Sequence, residues 1–136
     1  MTSSHVGGKA LNEQMSNLTD KRKQIGQAAE KKAAQHLLQN GYSIVVKNWR
    51  VRNGEIDIIA KQGNTLVFVE VRSRHRSQRF GSAIESIDHR KQRKVRHLAE
   101  IYLAKHTQGR FDVRFDVIGI EHDAGIMKLT HLENAF

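Results

Sequence analysis

Cysteine is absent from this 136-residue chain. That absence excludes a disulfide framework, a thiolate zinc site, an iron-sulfur cluster and a redox pair together. Proline is absent too, so turns fall to glycine and asparagine. Nowhere do about 18 apolar residues run together, and the opening MTSSHVGGKALNEQMSN has no apolar stretch of signal-peptide length. The sequence therefore predicts a soluble, unexported protein with no membrane partner, at home in a reducing cytoplasm. Aromatic residues number only eight, five Phe, two Tyr and one Trp, so Trp49 and Tyr42 read as core or edge packing rather than base-stacking platforms. Acidic charge is also scarce: 14 Asp and Glu stand against 23 Lys and Arg, a net charge of +9.

What is present is basic charge, and it is concentrated. Between Arg72 and Arg96 there are nine Lys or Arg against two acids, a local excess of seven. A solvated basic face is the plain reading of such a run. Its clustering favours a phosphate-binding patch, and the overall charge favours an anionic partner such as nucleic acid.

The length suits one domain with its own core. Residues 1 to about 18 lack periodicity and are expected to form a disordered tail, leaving residues 19–136 as a single domain. From Thr19 and Asp20, both able to cap, through Asn40, helical spacing places Ile25, Ala28, Ala29, Ala33 and Leu37 on one side, with Gly41 as the stop. Three β-rich runs follow, Tyr42 to Val51, Glu55 to Ala60 and Thr65 to Arg72, separated by Asn53-Gly54 and Gln62-Gly63-Asn64. A second helix is expected from about Asp88 to Lys105, then strands over roughly Arg110 to Glu121 and Ile126 to Leu132. The order α-β-β-β-α-β-β predicts an α/β fold, a mixed sheet flanked by helices.

Asp57 is anomalous among Ile56, Ile58 and Ile59. Asp is a poor strand former, and a buried carboxylate needs a base or a cation beside it. A structural ion pair, an exposed strand end and a functional site all remain open at this point. Glu70 lies in the run Val67 to Val71, and Arg72 shares its strand face. Whether Asp57 joins them depends on register, because facing residues of the hairpin must have numbers summing to an odd value. With Lys61 opposite Asn64, Glu70 faces Glu55 and Asp57 is its diagonal neighbour. With Lys61 opposite Leu66, Asp57 faces Glu70 directly. Two such carboxylates repel unless a proton or cation intervenes, the setting for a hard divalent metal. Glu30 lies beside the alanine-rich face of the first helix, where a Glu is ordinarily solvated. Glu55 is read as an auxiliary ligand or a turn-stabilising residue.

The strings AAEKKAAQHLLQNGY, GEIDIIA and VFVEVRSR, with the basic helix HRKQRKVRHLAEIYL and the late strand RFDVIGI, closely resemble the YraN-like bacterial family. That family is itself similar to archaeal Holliday-junction resolvases and restriction endonucleases. The likeness spans about Lys21 to Glu133. It implies a restriction-endonuclease-like fold with Asp57 and Glu70 as ligands of Mg²⁺ or Mn²⁺, the Val71 carbonyl as a third, and Glu30 matching the acidic residue of the first helix. Arg72 occupies the motif's lysine position. Arginine stays protonated and is a poor general base, but it can hydrogen-bond a phosphate oxygen or a developing oxyanion.

The expected function is a metal-dependent endonuclease of structured or duplex DNA, with Asp57, Glu70, Arg72 and Glu30 as its catalytic set. Arg74, Arg76, Arg79, Arg90, Lys91, Arg93 and Lys94 are expected to hold flanking phosphates. A homodimer would supply the second site that cutting two strands requires. The rival is a non-catalytic nucleic-acid-binding protein that keeps the nuclease fold, which Arg72 favours. A basic adaptor for an acidic protein or membrane surface needs only the patch and leaves the acid pair unexplained. No phosphate-binding Gly-rich loop, nucleophile elbow or histidine pair at zinc spacing is present. His75, His89, His97, His106, His122 and His131 are scattered and read as surface or phosphate-contacting residues.

Overall fold

Alternating apolar residues build the strands, and the two helices cover the faces that this alternation creates. The computed structural model describes residues 3–76, 87–107 and 109–136, with side chains of the first helix from residue 12 onward. Its elements are α1 (Ser3–Gln39), β1 (Ser43–Val51), β2 (Gly54–Gln62), β3 (Thr65–His75), α2 (His89–His106), β4 (Asp112–Asp123) and β5 (Ile126–Leu132). The order is the expected one. The five strands form one sheet in the order β1-β2-β3-β4-β5. Only β3 and β4 pair in parallel, and α2 lies within the connection that a parallel pair requires. This mixed five-stranded sheet with two helices is consistent with an α/β nuclease-like fold.

Each face has its own core. Along β3, Val67 and Val69 pack with Ala29, Ala33 and Leu37 of α1. The intervening Leu66 and Phe68 pack with Val95, Leu98 and Tyr102 of α2. Burial on both faces accounts for the nearly unbroken apolar run of this central strand. The alanines of α1 leave no bulk between helix and sheet.

α1 starts earlier than the sequence suggested. The expected tail is helical from Ser3, and residues 12–24 are all exposed. Thr19 is not a cap but an interior helical residue, its Oγ1 donating to the Met15 carbonyl at 3.0 Å. The stop is as expected. Gly41 takes φ +85°, with Tyr42 N donating to the Leu37 carbonyl at 3.0 Å and Gly41 N to the Leu38 carbonyl at 3.3 Å, the two bonds of a Schellman turn. α2 is capped by Asp88, whose side chain accepts from Lys91 N at 2.9 Å.

Candidate functional site

Of the two registers open in sequence, the molecule adopts the one with Lys61 opposite Leu66. The β2–β3 ladder runs from Gln62↔Thr65 to Ile58↔Val69 and stops there, one residue short of Asp57. At that level both β1 and β2 lose their regular alternation. Ile56 belongs to the α2-side core and Ile58 to the α1-side core, although strand residues two apart ordinarily share a face. In β1, Val46 and Trp49, three apart, both pack on the α2 side. Between them Asn48 has φ +53°, a left-handed conformation that Asn tolerates better than most side chains. Lys47↔Ile58 and Trp49↔Ile56 bracket Asn48 and Asp57, so the two irregularities sit side by side.

Asp57 therefore lies where β2 leaves the ladder with β3. Its Oδ2 accepts from the Val71 N–H at 2.8 Å, standing where a strand carbonyl would otherwise be. Glu70 is almost fully buried at 4% exposure and alternates with Phe68 onto the α2 side. There Lys91 Nζ approaches its Oε1 to 3.4 Å and Arg72 Nε to 3.8 Å. Arg72 Nε is buried with no hydrogen-bond partner. Lys91, expected on the phosphate-binding face, is turned into the acidic site instead.

These surroundings act on Asp57. Its carboxyl is pushed up to about 7, first by burial and then by the charges of Glu70, Glu30 and Glu55, against the opposing Val71 hydrogen bond. Glu30, half-buried on α1, thus bears on Asp57 electrostatically. Glu55 is engaged in an ion pair with Arg50 at 2.7 Å across the paired positions Arg50↔Glu55, the turn-stabilising alternative.

Among the described residues no three His, Asp or Glu side chains are grouped to hold one metal ion. The donors at hand are two carboxylates and main-chain oxygen. Such a set does not suit a four-ligand zinc centre, but it suits Mg²⁺, which takes one or two carboxylates and keeps several waters.

The remaining expected phosphate contacts divide. Arg90, Arg93 and Lys94 are exposed on α2, Arg76 is exposed just beyond β3, and Arg74 is half-buried within it. Arg79 lies outside the described residues. Gly54 is crossed by Lys94, whose Cε would lie 2.9 Å from any added Cβ.

Two features escaped the sequence reading. Asn48 carries no signal of its own. Asp116 does, since it interrupts the apolar Phe115 to Ile118 run much as Asp57 interrupts its isoleucines. It is fully buried and bonded by Arg114 at 2.9 Å, His131 at 2.7 Å and the Asn134 N–H at 3.0 Å. His131 is accordingly no surface residue.

Comparison with known sequences gives the family. The profile described as "Uncharacterised protein family UPF0102" matches residues 29–120, two thirds of the chain. The chain belongs to the UPF0102 family. This is the YraN-like family that the motifs resemble. A UPF0102 protein of Ectopseudomonas mendocina is 42% identical over 113 residues, covering 82% of this chain and 93% of the relative. One of Symbiobacterium thermophilum is 41% identical over 115 residues, covering 84% and 97%, and one of Thermodesulfovibrio yellowstonii is 44% identical over 113 residues, covering 83% and 96%. The stretch matched by the UPF0102 profile contains Glu30, Asp57, Glu70, Arg72 and Lys91, and leaves out the exposed residues 12–24 of α1.

Proposed function

We propose that this UPF0102 protein is a Mg²⁺- or Mn²⁺-dependent endonuclease of structured or duplex DNA. The observation that carries the reading is the meeting of Asp57 and Glu70 where β2 and β3 part, two carboxylates beside each other with the charge of one disfavoured. Asp57 and Glu70 would hold the ion, with the Val71 carbonyl as a further oxygen donor, and Glu30 would add negative charge from α1. Bound there, the metal would supply a water of lowered pKa and neutralise charge building on the phosphate. The chain's own residues do the rest. The Val71 N–H fixes the Asp57 carboxylate in one orientation. Arg72, its Nε buried beside Glu70 and its side chain about a third exposed, can donate from its terminal guanidinium nitrogens to a nonbridging phosphate oxygen, and Lys91 brings a second cation to the same point. Exposed Arg90, Arg93 and Lys94 give affinity to flanking phosphates without reading sequence.

The test is cleavage of duplex, flap and four-way DNA with Mg²⁺ or Mn²⁺. Asp57→Asn should lower the metal-dependent rate by about a thousandfold, roughly 4 kcal/mol, while DNA binding stays nearly intact. Cleavage by that variant at the wild-type rate would end the assignment. A second reading, a DNA-binding protein without turnover, is favoured by Arg72 at the motif's lysine position and by the cations already beside Glu70. It predicts binding with no cleavage and no stabilisation by divalent metal.

A further inference from the structure

On the other side of the sheet from α2, four side chains form a continuous chain of hydrogen bonds. His131 Nε2 lies 2.7 Å from Asp116 Oδ2, His36 Nε2 lies 3.0 Å from His131 Nδ1, and Asn40 Nδ2 lies 3.3 Å from His36 Nδ1. β4 and β5 supply Asp116 and His131, the last turn of α1 supplies His36, and Asn40 follows directly after that helix. We propose that Asp116, His131 and His36 form a hydrogen-bonded latch that holds the C-terminal half of α1 to the sheet in one protonation state and weakens when a further proton enters.

The directions of these bonds follow from one fixed end. Asp116 is fully buried. Burial alone would push its carboxyl up, but hydrogen bonds from His131, Arg114 and Asn134 outweigh this and hold it below the usual carboxylate range. An ionised carboxylate only accepts, so His131 Nε2 carries hydrogen. A neutral His131 then has a bare Nδ1, which must be bonded by His36 Nε2–H. That leaves His36 Nδ1 bare, and the Asn40 amide donates to it. One assignment thus satisfies every nitrogen with both rings neutral.

A further proton has no place in this chain. On His36 Nδ1 it would meet the Asn40 Nδ2 hydrogens, since that amide is held in place by donating to the His36 carbonyl at 2.7 Å, and on His131 Nδ1 it would meet the His36 N–H. The facing charges do not relieve the conflict. Arg114 of β4 already neutralises Asp116, Lys32 of α1 lines the groove beside His36, and Glu133 accepts from Tyr42 at the head of β1 at 3.1 Å. Burial and the neighbouring His131 accordingly lower the pKa of His36. A cleft of about 320 Å³ lined by His36, Asn40, Tyr42, Gln62, His131 and Glu133 opens the chain to solvent protons. Glu30 rides on the same helix as His36, so the latch is also a positioning device for the candidate site. The latch itself does not rest on the nuclease reading.

Nitrogen-detected NMR of the full chain at about pH 8 should show His36 and His131 both protonated at Nε2 and bare at Nδ1. Amide exchange at residues 34–39, corrected for intrinsic rate, should quicken about tenfold between about pH 8 and pH 5.5. In His36→Gln, whose amide can still donate to His131 but cannot titrate, protection should persist and its pH dependence vanish. A His36 protonated at Nδ1, or an unchanged pH dependence in His36→Gln, overturns the proposal. Both readouts are taken without DNA or metal, so the two readings fail separately.

Discussion

Asp57 illustrates how a fold can hold a carboxylate against its own electrostatics. The Val71 N–H favours its ionised form, while burial and three nearby acids oppose it, and the opposition wins. The stability consequence has a definite sign. A carboxyl raised from 3.8 to about 7 is bound more tightly by a proton in the native state than in the unfolded chain. Its contribution is therefore full below pH 3.8 and is lost as pH rises through about 7. Asp57→Asn, which keeps an acceptor for Val71, should melt above the wild type at pH 8, by up to about 2–4 kcal/mol, with the gap closing toward pH 4. A calorimetric pH series on both proteins measures it. On the proposed reading, millimolar Mg²⁺ narrows the gap at pH 8 by binding the ionised wild type.

At the scale of elements, α2 brings Lys91 to Glu70, and Asp88 secures its first turn. Asp88→Ala should cost about 1 kcal/mol in urea unfolding, with Asp88→Asn recovering most of it. α1 divides differently. Its residues 12–24 are all exposed, so removing the chain up to residue 18 should move stability by no more than about 0.5 kcal/mol. The elements were largely legible because alternation marks strands whatever surrounds them: β5 falls at Ile126–Leu132 as read, and β2 and β3 fall within a few residues of their expected ends. The start of α1 was not legible, because Thr19 can cap a helix or bond back within one and its own sequence does not distinguish the two. Nor was the loss of alternation at Asn48 and Asp57. A periodic pattern read as continuous hides a local change of face, and only tertiary packing on both sides of the sheet reveals it.

Across the whole molecule, an acidic pair, Glu70 buried and Asp57 half-buried, sits within a chain of net charge +9. Binding to duplex DNA, if carried by the exposed α2 cations, should weaken steeply with salt. Arg90→Gln, Arg93→Gln and Lys94→Gln should each reduce the slope of log K against log salt by about 1, whatever the DNA sequence. Equal slopes in wild type and triple variant would place the contact surface elsewhere. The candidate site was partly legible at this scale. Asp57 and Glu70 are near in sequence and belong to one hairpin, so register arithmetic could bring them together. His36 and His131 lie 95 residues apart, and nothing short of the complete topology joins them.

The parallel pairing of β3 with β4 has a consequence for how the site comes into being. β1, β2 and β3 can zip up through short turns, carrying Asp57 and Glu70 with them, whereas the β4 pairing must wait for a long loop to close. Lys91 travels on that late-arriving segment. During folding the two acids should thus meet before their counter-charge docks, and mildly acidic refolding buffers, near the ordinary carboxyl range, should speed the early step relative to alkaline ones.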